Sequence, residues 1–449
     1  MEQKAIEKQF FKFVIPSMLT MLLNGLYTIV DGLFVGHAVG DIGLAGIGLV
    51  WPITALVLAL GMGIGVGGSV LMSTYRGAND NQRANEARAN TFFALLAVSV
   101  VVTAFLVIFS PTLVKAIGAT GKIYDAAISY IRIIAIGGSM QIIASGLIPL
   151  IRNSHKTVQA MIIMGGGLIV NIVLDACFTM VIPMGLAGAA LATVLAQAIT
   201  VVCSIICLWK QKENKIERSQ FKLNKKMIGR MMQIGISPFG LSLMPSLITI
   251  FNNWQCLAYG GDLAVSAYAV INYLIASVLL LLEGIGEGMQ PLISYCNGSK
   301  NYKAMKKIRN KGFLAVVTFS GLFLLFSIPA RTLLPKFFAT SEETARIIDS
   351  ALPIICVAFP MMGIGKLFSS YFYACEETLF STLLVYLDPI LFTPLCVFTL
   401  PHIWGIKGVW MALPGAQLLT MILLTILLIA HTMKFRSREA ILYEQRNKR

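Results

Sequence analysis

Apolar runs of about 20 residues recur from one end of the chain to the other, separated by short polar or glycine-containing breaks, and a run of that length crosses hydrocarbon as a helix. Twelve spans are read, at approximately 13–35, 47–73, 91–110, 127–150, 161–183, 187–209, 235–259, 268–293, 313–334, 347–374, 380–400 and 408–432. The predicted fold class is therefore an all-α membrane protein with twelve transmembrane helices. The first run begins after Lys12 and has no small-residue cleavage site behind it, so it is read as span 1 and not as a removable signal. Composition agrees: 57% of residues are hydrophobic, 13% are charged and the mean hydropathy is +0.77, well outside the soluble range.

The breaks carry a second pattern. Gly40-Asp41 reappears as Gly261-Asp262, Gly63 and Gly65 as Gly284 and Gly286, Ser73 and Gly77 as Ser294 and Gly298, Arg88 as Arg309, and Thr157 as Thr378, all at one offset (262 − 41 = 221). Near the end the offset slips by one residue, so that Gly185, Gly188, Ala192 and Gln197 face Gly405, Gly408, Ala412 and Gln417 (405 − 185 = 220). The chain is thus expected to form two pseudo-symmetric six-helix lobes, 1–209 and 235–432, joined by a linker at 210–234 and followed by a basic tail at 433–449. Parallel repeats in a bilayer create a central site that two rocking lobes expose alternately, which points to a transporter.

The net charge of +15 would suggest a nucleic-acid partner in a soluble protein, but its placement gives it another meaning. The termini and the loops after even-numbered spans hold 28 Lys and Arg, against 6 associated with the loops after odd-numbered spans. By the positive-inside rule both termini are expected in the cytoplasm of a cell with this protein in its inner (plasma) membrane. The expected macromolecular surroundings are the lipid bilayer and its anionic headgroups, with no nucleic acid and with a monomer as the functional unit.

Several motifs are set aside. Gly63-Ile64-Gly65-Val66-Gly67-Gly68 matches a dinucleotide fingerprint but lies within span 2, where small residues serve close helix packing. Asn297-Gly298-Ser299 matches a glycosylation acceptor on the side the charges place in the cytoplasm. The eight cysteines form no C-x-x-C pair, and His37, His155, His402 and His431 are scattered. No Walker motif or metalloprotease pair occurs, so neither an enzyme nor a bound cofactor is expected.

Ionisable residues within the spans carry the sharpest information, because a charge in hydrocarbon costs at least ~2.5–3.5 kcal/mol unless water or a partner meets it. Asp31 lies in span 1. Asn171 and Asp175, four residues apart, share one face of span 5, and Thr193 follows in span 6. Together they offer carboxylate, amide and hydroxyl oxygens to Na+, or a carboxylate pair to H+. Glu283 and Glu287 share a glycine-rich face of span 8 and are expected to handle cationic cargo or a second proton, with Asp388 of span 11 as a further candidate. A structural role for the glutamate pair would need donors that the sequence does not identify, and Lys366 is a counter-charge of unassigned partner.

At these residues the chain resembles the multidrug and toxic compound extrusion (MATE) family. The likeness runs through Pro16, Tyr27-Thr28-Ile29-Val30-Asp31-Gly32-Leu33-Phe34-Val35-Gly36, Tyr75-Arg76-Gly77-Ala78, Val170-Asn171-Ile172-Val173-Leu174-Asp175, Gly185 to Thr193 and Gln290 to Gly298. The resemblance implies a V-shaped cavity between the lobes and export of amphipathic, often cationic, drugs or toxins in exchange for H+ or Na+. It also implies a cation site at Asp31, Asn171, Asp175 and Thr193 and a bending position at Pro16. The chain departs from sodium-coupled members that carry an acidic residue in span 7, since Asn252, Asn253 and Gln255 supply none there. The alternatives are a lipid-linked oligosaccharide flippase, which would need a groove rich in Lys and Arg, and an intramembrane hydrolase working through paired carboxylates such as Glu283 and Glu287.

Overall fold

The computed structural model describes residues 3–209, 223–338 and 340–447, with the side chains of 3–6, 27–29, 31–33, 37–39, 41, 44 and 435–447 outside that description. The first half comprises α1 (Gln3–Val39), α2 (Asp41–Gly77), α3 (Asn81–Ala116), α4 (Gly121–Asn153), α5 (Thr157–Asp175) and α6 (Gly185–Trp209). The second comprises α7 (Lys225–Gly298), α8 (Tyr302–Phe337), α9 (Glu342–Cys356), α10 (Ala358–Ala374), α11 (Thr378–Leu387), α12 (Thr393–Trp404) and α13 (Ile406–Asn447). Of the expected linker, 210–222 falls outside the described residues, while 225–234 already forms the first turns of α7, capped by Asn224, whose side chain accepts from the Met227 N–H at 3.2 Å.

Helix α7 shows how helices become spans. At 1.5 Å per residue its 74 residues would reach about 110 Å, several times the ~30 Å of hydrocarbon. Gly261 (φ 65, ψ −163) interrupts it, and two arms result. Gly40 (φ 71, ψ −157) makes the same turn between α1 and α2, a conformation essentially restricted to glycine. Among the described residues, ten helical segments are long and apolar enough to cross a membrane, and the pair α9–α10, bent by 44°, makes an eleventh. Counting the two arms of α7 separately gives the expected twelve.

The internal repeat is written in the backbone. Besides the two glycines, Asn79 (φ 61) matches Lys300 (φ 54), His155 (φ 60) matches Glu376 (φ 61), and Gly185 (φ 60) matches Gly405 (φ 57). Asp80 caps α3 by accepting from Arg83 N–H at 3.0 Å, and Asn301 caps α8 by accepting from Ala304 N–H at 3.1 Å. The molecule consists of two pseudo-symmetric six-helix lobes. Their outer faces are apolar: Leu96, Val100, Val101, Phe105 and Ile108 of α3 are exposed, as suits a surface solvated by lipid tails.

Small residues bring the lobes together. A β-carbon on Gly63 would meet the Gly235 carbonyl oxygen at 2.9 Å, and one on Gly67 would overlap that of Met231, so α2 lies against the first arm of α7. In the matching contact, Gly284 and Gly288 on the second arm bring it against Met18 and Val14 of α1. At the ends of α2 and α7, β-carbons on Gly77 and Gly298 would overlap the carbonyl oxygens of Tyr295 and Thr74. These contacts mark the seam at one end of the bundle, the end that carries the basic loops.

Candidate functional site: a buried oxygen cluster and a cross-lobe lock

In the first lobe, Asn171 and Asp175 occupy the last turn of α5, where both are 0% exposed. Beyond Asp175 the helix widens into a π-helical turn, Ala176–Val181, which the Thr179 hydroxyl ties to the Asp175 carbonyl at 2.6 Å. Gly188 of α6 brings that helix close to the turn, since a β-carbon there would lie 2.6 Å from the Phe178 carbonyl oxygen. Thr193, one turn further along α6, is also buried. Neither the Asn171 amide nor the Thr193 hydroxyl has a hydrogen-bond partner among the described residues, and a buried polar group left unsatisfied costs ~1–3 kcal/mol. Such a set fits a hard cation, which takes oxygen ligands, and a buried carboxylate beside it fits a proton. Asp31 lies on α1, which packs along α5, and its side chain is outside the described residues.

Pro16 lies in the same helix, between Val14 and Met18, the two residues that Gly288 and Gly284 approach. It removes the N–H that would meet the Lys12 carbonyl, and the Pro16 carbonyl accepts from the Thr20 hydroxyl at 2.7 Å. A bend here would move the seam directly.

The two glutamates on the second arm of α7 share a helix face but not a partner. Glu283 accepts from Lys366 Nζ of α10 at 2.5 Å, with both side chains 14% exposed. Glu287 is 3% exposed and pairs with Arg152 at the end of α4 in the other lobe, itself 1% exposed. Tyr373 of α10 also donates to Glu287, at 3.2 Å. Asp388 begins the π-helical turn Asp388–Phe392 and accepts from Thr393 Oγ1 at 3.1 Å and from Gln417 Nε2 at 2.8 Å. These are the donors the sequence did not identify.

A buried network extends the Glu287 contact. Asn153 and Gln290 exchange amide hydrogen bonds across the lobes at 2.9 and 3.1 Å. Ser73 Oγ donates to Asn153 Oδ1 at 2.7 Å, Gln290 Nε2 donates to Ser294 Oγ at 3.0 Å, and Ser294 donates to the Ala374 carbonyl at 3.2 Å. Lys311 reaches Glu7 across the lobes at 2.8 Å. Among the described residues, these cross-lobe bonds gather at the basic end, which they hold shut.

Arg152, Asn153, Tyr373 and Gln290 were not singled out as site residues by sequence reasoning. Arg152 counts there as one more basic residue of a loop, and its neighbour Asn153 as polar loop chemistry. One signal could have found it: Arg152 and Tyr373 stand at the repeat offset (373 − 152 = 221), so both of Glu287's donors come from equivalent positions of the two halves.

A two-lobed, twelve-span bundle whose lobes are bolted together at one end has the architecture of a membrane transporter. The family model MatE matches twice, over residues 16–177 and 239–398, once per lobe, and the chain belongs to that family. Among curated relatives, the multidrug export protein MepA of Staphylococcus aureus is 24% identical over 412 residues, covering 91% of this chain and 90% of its own. MepA of Staphylococcus haemolyticus is likewise 24% identical, over 409 residues, with the same coverage. A solved structure described as the outward-facing conformation of a multidrug resistance MATE family transporter superposes with a TM-score of 0.90, at 21% identity and 97% coverage of both chains. A transporter from Pyrococcus furiosus, described as having a binding pocket of reverse polarity, superposes at 0.87 with 22% identity and 96% coverage of both.

Proposed function

We propose that this chain is a multidrug efflux antiporter of the cell membrane, exporting amphipathic, often cationic, small molecules in exchange for H+ or Na+ by alternating access. The observation that carries the ion exchange is the Asn171, Asp175 and Thr193 cluster: buried oxygen chemistry inside one lobe, with an amide and a hydroxyl that no described group satisfies. Asp31 joins it in this reading. Multidrug export comes from the relatives, whose names state that function and whose likeness spans nine-tenths of the chain.

The geometry supports a division of labour. The ion cluster lies within a lobe, so its occupancy acts on the lobe's helices, whereas the Glu287 lock lies between lobes and breaks when they rock. With the basic end cytoplasmic, as the charge distribution argues, the lobes are closed toward the cytoplasm and the cargo space opens outward. Glu283 and Lys366, partly exposed and belonging to one lobe, line the path of cargo, while Asp388, fully provided with donors, supports the helix break. Pro16 serves as the hinge that moves α1 along the seam. The driving force is adequate: one charge crossing 100 mV contributes ~2.3 kcal/mol and each pH unit ~1.4 kcal/mol.

The alternatives find no support in the geometry. Lys366 is neutralised by Glu283, so it does not build the basic groove of an oligosaccharide flippase. Glu283 and Glu287 are held by different cations, so they do not form the coupled carboxylate pair a hydrolase would use. The test is drug efflux from proteoliposomes under separately imposed H+ and Na+ gradients. Uphill efflux driven by one of them supports antiport; purely downhill movement under both refutes it.

A further inference from the structure

The two halves begin equivalent helices with opposite chemistry. Ahead of α11 stand Glu376 and Glu377, carboxylates that complement the positive end of a helix and that are themselves held by Arg230 and, at 2.6 Å, by Lys434 Nζ. At the same repeat positions ahead of α5 stand His155 and Lys156, and the Lys156 ammonium is turned away to the Cys207 carbonyl at 3.0 Å. The second half supplies its own anion at this point. The first half does not.

The start of α5 is built to receive one. A cavity of about 130 Å³ opens there, lined by Lys12, His155, Thr157, Val158 and Gln159, with no acidic residue among the described residues of its wall. The Ala160 N–H closes the first turn onto the Lys156 carbonyl at 3.0 Å, so the N–H groups of Thr157, Val158 and Gln159 precede any intrahelical acceptor. Lys156, the cap residue, brings no side-chain acceptor to them. Thr157 is 3% exposed, and its hydroxyl has no hydrogen-bond partner among the described residues. Burial of His155 between Phe13 and Tyr295 holds the imidazole pKa below its ordinary value, and the positive charges of Arg76 and Lys12 lower it further.

We propose that this cavity binds a phosphoryl anion, carried by the headgroup of an anionic phospholipid at the basic end of the bundle or present as free phosphate. The Lys12 ammonium supplies the charge, the three leading N–H groups of α5 supply directed donors, and the Thr157 hydroxyl supplies a fourth. Occupancy would stiffen the junction between α4 and α5, next to Arg152 of the lock.

The test uses the full chain in nanodiscs of equal phosphatidylglycerol and phosphatidylcholine, with retained lipid counted by native mass spectrometry, and in neutral detergent with inorganic phosphate added. The variants are Lys12→Gln, at an exposed side chain whose loss leaves the fold intact, and His155→Glu, which gives the first half the residue that Glu376 holds at the same backbone angle. Wild type should prefer phosphatidylglycerol by about fivefold, the factor given by ~1 kcal/mol per cation near an anionic surface, and both variants should lose that preference. Alternatively, millimolar phosphate should raise the melting temperature of wild type in detergent and leave both variants unmoved, which assigns the site to free phosphate. Equal retention of the two lipids by wild type with no effect of phosphate, or a lipid preference or phosphate response that survives in both variants, overturns the proposal.

Discussion

At Glu287, burial and pairing pull in opposite directions. Removing its charge from water is costly, and the Arg152 guanidinium with the Tyr373 hydroxyl offsets that cost only while the lobes are closed at the basic end. Glu287→Gln or Arg152→Met should each lower stability by ~3–5 kcal/mol, because the partner is left as a buried, unpaired charge, whereas Arg152→Met with Glu287→Leu should recover most of it. Thermal unfolding in detergent reads all three, and a double variant as damaged as the sum of the singles would show that the pair is not an isolated unit. Asp175→Asn makes the complementary prediction. Ion and drug competing for alternate states weaken each other by one common factor, so titrating H+ or Na+ should reduce drug affinity in wild type and leave it nearly constant in Asp175→Asn. An unchanged ion dependence would move the coupling site away from the first lobe. The residue types at both places were readable as intramembrane charge. No local pattern shows that Glu287 meets a residue 135 positions away in the other half; only the repeat relation of Arg152 to Tyr373 points to it.

At the scale of elements, the turns were legible and the length of α7 was not. Gly40 and Gly261 announce themselves by their repeat, and both adopt angles that only glycine takes easily. Sequence periodicity places a loop at 260–267, but a single glycine suffices to turn the chain, and helix continues on both sides of it. Gly261→Ala should therefore cost ~1–3 kcal/mol of stability. Gly229→Ala, at an open helical position of the same α7, should instead stabilise by ~0.5–1 kcal/mol. Opposite signs in thermal unfolding support the assignment; equal effects contradict it. Gly77 and Gly298 make a different demand, since each faces a backbone carbonyl of the other lobe. Gly298→Val should leave each lobe intact yet prevent closure of the basic end, raising the labelling rate of an introduced cysteine at Gln290 above that of the same cysteine in an otherwise unaltered seam. Identical labelling rates would mean that the seam tolerates the side chain.

In the proposed cycle the whole molecule combines a lobe that holds an ion with a seam that opens as a unit. Two-lobe architecture was legible because duplicated turns and caps depend on short local sequence, and the family model finds the same two stretches. The closed end was not, because hydrophobic patterning is the same whichever way two lobes lean. Pairs of exposed positions related by the repeat supply matched rulers: Gln82 with Lys303 at the basic end, and Lys122 with Glu343 at the opposite end (303 − 82 and 343 − 122 both give 221). The most direct measurement is electron–electron resonance between spin labels at these two pairs, in liposomes, with the coupling ion and drug added separately. The account predicts that one ligand lengthens the Gln82–Lys303 distance while shortening Lys122–Glu343, that the other reverses both changes, and that Asp175→Asn abolishes the response to the ion alone. Distances that change in the same sense at both ends, or that follow the ion unchanged in Asp175→Asn, would contradict it.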